Sequence, residues 1–314
     1  MNETKIILHH YAISPYSAKV RVILGLKQIR WYACNQPGLM PKDDLITLTG
    51  GYRRIPILQI GADLFFDSNL IIHEVERRFP TPTVFGGSGP GVGLGFAPWP
   101  DAILMLIAHL LYGGDRDSTP EYRADRSALL SMDFDVDAMA RAWPANAEKL
   151  RLHLVLLAAQ LADGRPFLTG NAPDIIDAAF YGLIEYMYCG KGKTAALMNA
   201  FPIIKTWATR MRLIGQGERR EISAAKTLAI AKAATPRYAV ETSSHLLPHE
   251  PAPGDRVSVK YYDNNTPVLY GTLMHISPYR VAILRDDATL GPIMLHMPRT
   301  LGQIARADVG AVMS

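Results

Sequence analysis

Cysteine is scarce in this sequence, and its two cysteines, Cys34 and Cys189, lie far apart without a Cys-x-x-Cys pair. Their number and spacing exclude a disulfide framework and favour a reducing compartment. The predicted helices carry no histidine pair at metal-ligand spacing, and none of the nine histidines accompanies a cysteine cluster. We therefore expect a protein without a metal site.

The sequence also lacks a strong excess of one charge and any long hydrophobic run. Its 33 basic and 29 acidic residues give a formal net charge of +4 and are spread along the chain, which does not favour nucleic-acid binding. The most apolar helix-like stretch, residues 103–112, is shorter than the about 20 residues that span a bilayer. The N-terminus lacks the layout of a signal peptide. These absences predict a cytoplasmic protein with neither a membrane nor a nucleic acid as partner.

Residues 1–80 alternate between strand and helix patterns. The runs KIILHHY and WYAC have the composition of short strands, and SAKVRVILGLK between them has helical spacing. IPILQIGADLFF has the pattern of a hairpin, and DSNLIIHEVERRF that of a capped helix. The order β-α-β-α-β-β-α predicts a small α/β domain with one mixed sheet. In its first strand, His9 and His10 would point to opposite faces, so we expect one to be buried and one to contact solvent.

The rest of the chain divides into three regions. Residues 81–100 are dense in glycine and proline and follow a helix rather than a strand, so they predict a linker and not a phosphate-binding Gly-x-Gly-x-x-Gly turn. Residues 101–235 have helical periodicity throughout, which predicts an all-α domain. Its clearest apolar stripe is formed by Leu150, Leu154, Leu157 and Leu161. Residues 251–314 alternate between apolar runs and turn residues such as DNNTP, which predicts a small antiparallel β module.

The segment Ser-Pro-Tyr-Ser, residues 14–17, stands between the first strand and the first helix. It has the spacing of a Cys-Pro-Tyr-Cys redox motif in which hydroxyls replace both sulfurs. Ser14 is placed as the N-cap and Pro15 at the first helical position. The simplest interpretation is that Ser14 only caps the helix. The same position is also one where the helix dipole favours a thiolate, so a chemical role for the hydroxyl is the second interpretation.

Three further features accompany this segment. Ile55-Pro56 precedes the predicted hairpin, Asp67-Ser68 follows it, and TGNAPDIIDAAFYG at 169–182 has the pattern of a capping box with Asp174 and an acid at N3. The four features, in this order and followed by a helical region, resemble the glutathione transferase family over residues 4–235. The resemblance implies a thioredoxin-like N-terminal domain followed by an all-α helical bundle, to which this chain adds its C-terminal β module.

The resemblance also implies roles for individual residues. Ser14 would donate a hydrogen bond to the sulfur of glutathione, with Tyr11 as the rival hydroxyl. A cis Ile55-Pro56 bond would expose backbone groups to the bound peptide, and Asp67 and Ser68 would hold its γ-glutamyl group. Either Arg53 or Arg54 would anchor a glutathione carboxylate, and we assign this to Arg54; a solvated surface role is the alternative. Because residues 14 and 17 carry no sulfur, a mixed disulfide with glutathione is disfavoured.

The second substrate would be a small, mostly apolar electrophile. We expect its wall to include Tyr11, Trp99, His109 and Tyr112, and the resemblance implies a homodimer active in detoxification. Two other functions stay open: a non-catalytic binding or regulatory protein, and a glutathione-dependent lyase or dehalogenase. For the C-terminal β module, we consider an interaction surface, a cover over the active site and an extension of the dimer contact.

Overall fold

The N-terminal region forms the expected β-α-β-α-β-β-α domain. A computed structural model of the chain describes residues 5–96, 98–190, 192–237, 250–262 and 266–307. The elements of this domain are β1 (Ile6–His10), α1 (Pro15–Leu26), β2 (Arg30–Asn35), α2 (Asp43–Thr49), β3 (Ile57–Ile60), β4 (Asp63–Phe66) and α3 (Ser68–Arg78). Strand β1 pairs in parallel with β2 and antiparallel with β3, and β3 pairs antiparallel with β4, so the four strands form one mixed sheet.

Strand β1 lies inside the sheet, between β2 and β3, and all five of its residues are buried. His9 and His10 are 1% and 0% exposed, so the expectation that one of them contacts solvent is wrong. Alternation along a strand separates two faces, but here both faces are covered by the protein.

The middle of the chain is helical and packs against the first domain. The predicted leucine stripe, on and just after α8 (Trp143–Gln160), is buried. Helix α9 (Ile175–Met187) approaches α1 closely at Gly182, because a Cβ at this position would lie 2.4 Å from the carbonyl oxygen of Pro15. The helices are α4 (Gly89–Gly95), α5 (Pro98–Gly114), α6 (Pro120–Leu130), α7 (Val136–Arg141), α8 (Trp143–Gln160), α9 (Ile175–Met187), α10 (Lys193–Ala196) and α11 (Pro202–Leu213). Helix α4 lies inside the region expected to be a linker.

One helical stretch, Gly89–Gly114, is long and apolar enough to cross a membrane when judged by length and composition. It is longer than the run of residues 103–112 that the sequence suggested. Its second part, α5, buries Ile103, Ile107 and Leu110 and packs against α7, α8 and α9. Core helices of this kind have the same length and composition as a membrane span.

After the helical domain the chain returns to the sheet. Strand β5 (Glu218–Glu221) pairs in parallel with β2, and α12 (Ala224–Lys232) packs against α2. The expectation of helix throughout residues 101–235 is therefore wrong at β5. All four residues of this strand are charged and exposed, so hydrophobic periodicity carries no signal for it.

The C-terminal strands form an antiparallel ladder that joins the first domain's sheet. Strand β9 pairs in parallel with β4, which gives a ten-stranded sheet in the order β10-β6-β7-β8-β9-β4-β3-β1-β2-β5. The expected module is thus antiparallel internally but continuous with the N-terminal domain. Residues 263–265 of the expected DNNTP turn lie outside the described residues. The strands are β6 (Arg256–Tyr261), β7 (Leu269–Ile276), β8 (Arg280–Asp287), β9 (Gly291–Pro298) and β10 (Gly302–Arg306).

Candidate functional site

A cavity of about 470 Å³ is lined by the N-terminal domain on one side and by the helical domain on the other. The N-terminal domain contributes the start of α1, the loop before β3 and the start of α3, while the helical domain contributes α5, α6 and the end of α9. Eight residues expected at the site lie together in its wall: Tyr11, Ser14, Arg54, Ile55, Pro56, Asp67, Ser68 and Tyr112.

Ser14 is the N-cap of α1, as its position before Pro15 predicted. Its Oγ accepts a hydrogen bond from the Ser17 backbone N–H at 3.2 Å. Ser14 is 6% exposed and lines the cavity. Because the Oγ only accepts in its capping role, its hydroxyl hydrogen is free to donate to a ligand atom.

The loop of residues 52–56 forms a second part of the wall. The Ile55-Pro56 peptide bond is cis, which confirms the expectation from the sequence. Arg54 Nη2 donates to the Leu129 carbonyl at 2.8 Å, and Arg53 Nη2 forms an ion pair with Asp125 at 3.0 Å. Both arginines therefore connect this loop to α6 of the helical domain.

Asp67 and Ser68 stand at the start of α3. Asp67 is the N-cap, with a φ of 74°, and accepts a hydrogen bond from the Asn69 N–H at 2.7 Å. Ser68 is 2% exposed, and its buried Oγ has no hydrogen-bond partner among the residues that the structure describes. A buried polar atom without a partner is costly unless a ligand or water supplies one, so Ser68 is suited to bind a polar ligand group.

A group of residues next to Asp67 was not expected from the sequence. Asp101 on α5 lines the cavity and hydrogen-bonds with Tyr16. Burial raises the pKa of both Asp67 and Asp101, and the nearby Lys19 ammonium opposes this rise. Burial also lowers the pKa of Lys19, against the pull of the two carboxylates. This end of the cavity therefore presents acidic oxygens to a ligand.

Another part of the wall is basic. Lys42 is buried at the start of α2, and its Nζ lies 5.5 Å from the centre of the Tyr11 ring. Burial first, and then the charges of Arg126 and Arg53, lower the pKa of Lys42 to about 8. Within the described part of the chain, the buried Nε of Arg126 has no hydrogen-bond partner. A negatively charged ligand group would relieve the repulsion among these cations.

The helical side of the cavity is largely aromatic. Tyr112 and Tyr122 share a hydrogen bond between their hydroxyls, and Phe134 and Tyr186 line the same wall. Neither Trp99 nor His109, which we expected here with Tyr112, is among the lining residues. Trp99 instead donates to His153 Nδ1 at 3.1 Å and contacts Phe180 edge to face.

The C-terminal module also reaches this cavity. Tyr261, at the end of β6, and the next residue Tyr262 both line it. No pattern in the sequence places these residues beside the first domain, because the contact depends on how β9 joins β4. Among the described residues, no group of three or more histidine, cysteine or acidic side chains is placed to hold a metal ion.

Comparison with known proteins identifies the N-terminal domain and the whole architecture. The family described as the glutathione S-transferase N-terminal domain matches residues 8–83. The structure of a GST-like protein from Pseudomonas syringae is 27% identical, with a TM-score of 0.76, and the match covers 97% of this chain and 100% of that chain. The match therefore includes most of the C-terminal module.

A tau class glutathione S-transferase from mango, Mangifera indica, shares the fold. It is 17% identical, with a TM-score of 0.50 over 73% of this chain and 96% of that chain. No curated protein matches the sequence. Over residues 8–83 the chain carries the N-terminal domain of the glutathione S-transferase family, and over almost its whole length it is similar to a GST-like protein.

Proposed function

We propose that the protein is a glutathione transferase that binds glutathione along its N-terminal domain and transfers the thiolate to an electrophile held by the helical domain. The observation that carries this proposal is the convergence of the Ser14 hydroxyl, the cis Ile55-Pro56 loop and the unpartnered Ser68 hydroxyl on one cavity. Each of these groups offers polar atoms to a peptide-like ligand.

Ser14 would stabilise the thiolate rather than attack the substrate. A free thiol has a pKa of about 8.5, so only a few per cent is ionised at neutral pH. Lowering this pKa by about two units takes about 2.7 kcal/mol. A hydrogen bond to a charged acceptor contributes about 1.5–3 kcal/mol, and the N-terminus of α1 adds about 0.3–1 kcal/mol. The two effects together are large enough.

The remaining groups would orient the tripeptide. Ile55 would pair its backbone with the cysteinyl part, while Ser68 and the acidic end formed by Asp67 and Asp101 would hold the γ-glutamyl ammonium. Arg54 would bind a carboxylate. In this arrangement the thiolate faces the wall formed by α5 and α6, where it would form a carbon–sulfur bond with the electrophile as the leaving group departs.

The wall formed by Leu104, Met105 and Tyr112 suits a small, mostly apolar electrophile. A lyase or dehalogenase reaction would use the same thiolate and differ only in that substrate. We further propose that the enzyme works in the cytoplasm as a homodimer. The alternative function, a non-catalytic binding or regulatory protein, would require no lowering of the thiol pKa.

Titration of the bound thiol tests this function. We expect wild type to bind glutathione and the ultraviolet absorbance of its thiolate to appear at a pH about two units below the free value, as a hydrogen bond from Ser14 requires. In Ser14→Ala the thiol should titrate near its free value while calorimetry still detects binding. Substitution also removes the helix cap, which costs about 1 kcal/mol of stability, so both proteins should be compared well below their unfolding temperatures.

Ser17→Ala is the matched control, because the Ser17 hydroxyl is buried on the same helix but does not line the cavity. It should leave the thiol pKa unchanged. If Tyr11→Phe and not Ser14→Ala raises the thiol pKa, Tyr11 is the activating residue. An unshifted thiol in wild type would support the binding protein instead, and a failure to bind glutathione would rule out both glutathione-based functions.

A further inference from the structure

The C-terminal module touches the segment that carries the cis-proline loop. Arg285 on β8 donates from Nη1 to the Thr47 carbonyl at 3.2 Å. Its side chain also covers Gly50, where a Cβ would lie 3.0 Å from the Arg285 Nε. An ion pair with Asp287 holds the guanidinium in this position. The end of α2 is therefore fixed by a residue more than 230 positions away in the chain.

The next residues are held by packing. Gly51 has a φ of 118°, and a Cβ there would lie 2.3 Å from Pro267 Cγ, so only glycine allows this approach. Tyr52 then stacks on Phe66 with ring centres 4.4 Å apart. The Tyr52 ring also contacts the ring of Tyr261 at a tilt, with ring centres 5.1 Å apart. The module thus forms one side of the pocket that receives Tyr52, the residue immediately before the two arginines of the cavity.

Tyr262 extends this contact into the cavity itself. It follows Tyr261 directly, lines the cavity, and is 68% exposed. A large exposed aromatic ring at the edge of a binding cavity offers contact area at a small cost in side-chain entropy. Tyr279 on the same module is also 68% exposed but does not line the cavity.

We propose that the C-terminal β module is a functional part of the ligand site. Arg285 is a positioning residue that holds the segment from Thr47 to Pro56, and Tyr262 contacts the bound glutathione. This inference rests on the proposed function, because it takes glutathione as the ligand of the cavity. The positioning role, however, can be measured without any ligand.

The first experiment compares full-length Arg285→Ala with Arg306→Ala. Arg306 also forms an ion pair on the module, with Asp255, but lies away from the loop. Without ligand, amide hydrogen exchange at residues 47–56 should accelerate about threefold or more in Arg285→Ala only, because a contact that opposes local opening is lost. Arg285→Lys, which can still donate to the Thr47 carbonyl, should recover part of the protection.

The second experiment measures glutathione affinity and thiol pKa in the same proteins. Arg285→Ala and Tyr262→Ala should each raise the glutathione Kd about threefold to tenfold. The pKa of the bound thiol should stay unchanged, because Ser14 is not altered; a general loss of structure would change both. Tyr279→Ala is the matched control and should leave the Kd as in wild type.

Unchanged exchange at residues 47–56 in Arg285→Ala would overturn the positioning role. Equal Kd values for Tyr262→Ala and Tyr279→Ala would overturn the contact role. If wild type does not bind glutathione, the proposed function and the Tyr262 contact fail together, while the exchange data still decide whether the module positions the loop.

Discussion

Two neighbouring histidines in β1 are kept neutral by burial. His9 Nε2 donates to Gln59 Oε1 at 2.8 Å, and His9 Nδ1 accepts from Gln36 Nε2 at 3.2 Å. The Gln59 Nε2 in turn donates to the Thr227 carbonyl at 2.9 Å. Burial lowers the pKa of His9 to about 4, although the hydrogen bond that His9 donates to Gln59 acts in the opposite direction. Burial also lowers the pKa of His10, to about 3, assisted by the charge of Arg21.

These histidines predict a loss of stability in mild acid. The unfolded chain takes up a proton on His9 near pH 6.5, but the folded chain does so only near pH 4. The contribution of His9 to stability should therefore be constant above about pH 6.5 and fall as the pH drops towards 4, by about 3 kcal/mol in total. Urea unfolding at several pH values between 7.5 and 4.5 measures this slope.

The matched comparison is between His9→Gln and His73→Gln. An amide at position 9 keeps hydrogen-bonding capacity but cannot take up the proton, so the slope below pH 6.5 should become shallower. His73 is exposed on α3, and its replacement should leave the slope unchanged. Equal slopes in wild type and His9→Gln would show that His9 does not remain neutral in the folded protein.

At the scale of single residues, the sequence predicts those parts of the site that belong to local motifs. Ser14 before a helical proline, the proline before a hairpin and an acid-serine pair at a helix start are each visible within a few residues. Asp101 and Arg126 are not, because α5 and α6 bring them to the cavity from the second domain. Trp99 and His109 show the converse: both are expected in the cavity wall, and both lie on α5, but neither lines the cavity.

At the scale of elements, the capping box at the start of α9 is predicted by the sequence and is present in the structure. Asp174 accepts from the N–H groups of Ile176 and Asp177, and the Asp177 carboxylate accepts from the Asp174 N–H. The Thr169 hydroxyl donates to the second Asp174 oxygen at 2.7 Å. Because α9 packs along α1, this box fixes the helix behind the Ser14 cap.

We expect Asp174→Ala to lower the free energy of unfolding by about 2 kcal/mol, at the upper end of the range for a lost N-cap, because the freed N–H groups are buried. The control is Asp135→Ala, which removes the exposed N-cap of the short helix α7 and should lower the free energy of unfolding by clearly less. Chemical unfolding of the three proteins at pH 7 measures both changes. Equal losses of unfolding free energy in the two variants would mean that burial of the α9 capping box adds no stability beyond that of an exposed N-cap.

Elements without such local patterns were missed. Residues 89–95 contain four glycines, which predict part of a linker, yet they form α4, whose Leu94 packs against the main core. Strand β5 consists of four charged residues and is held by backbone pairing with β2. Tertiary contacts outweigh local preference in both cases, so no single-segment pattern could have predicted them.

At the scale of the whole molecule, the module and the N-terminal domain share a core. One of the two hydrophobic clusters combines residues of α2 and β4, such as Leu45 and Phe66, with module residues such as Leu273 and Ile283. A buried polar pair lies at the junction: His296 on β9 hydrogen-bonds Asp63 on β4 at 2.9 Å. The other Asp63 oxygen accepts from the Arg237 N–H at 2.8 Å. The two parts should therefore unfold as one unit.

Removing the Asp63 carboxylate tests whether the module and the N-terminal domain unfold together. Asp63→Ala leaves the buried His296 donor and the part-buried Arg237 N–H without their acceptor, so we expect a loss of about 3 kcal/mol in chemical unfolding. Hydrogen exchange should accelerate in β4 and β9 together, because both strands open in the same step. Asp255→Ala, at an exposed ion pair of the module, should change the free energy of unfolding far less, because solvent screens such pairs. Faster exchange in β9 with unchanged exchange in β4 would mean that the module opens independently of the domain whose binding loop it contacts.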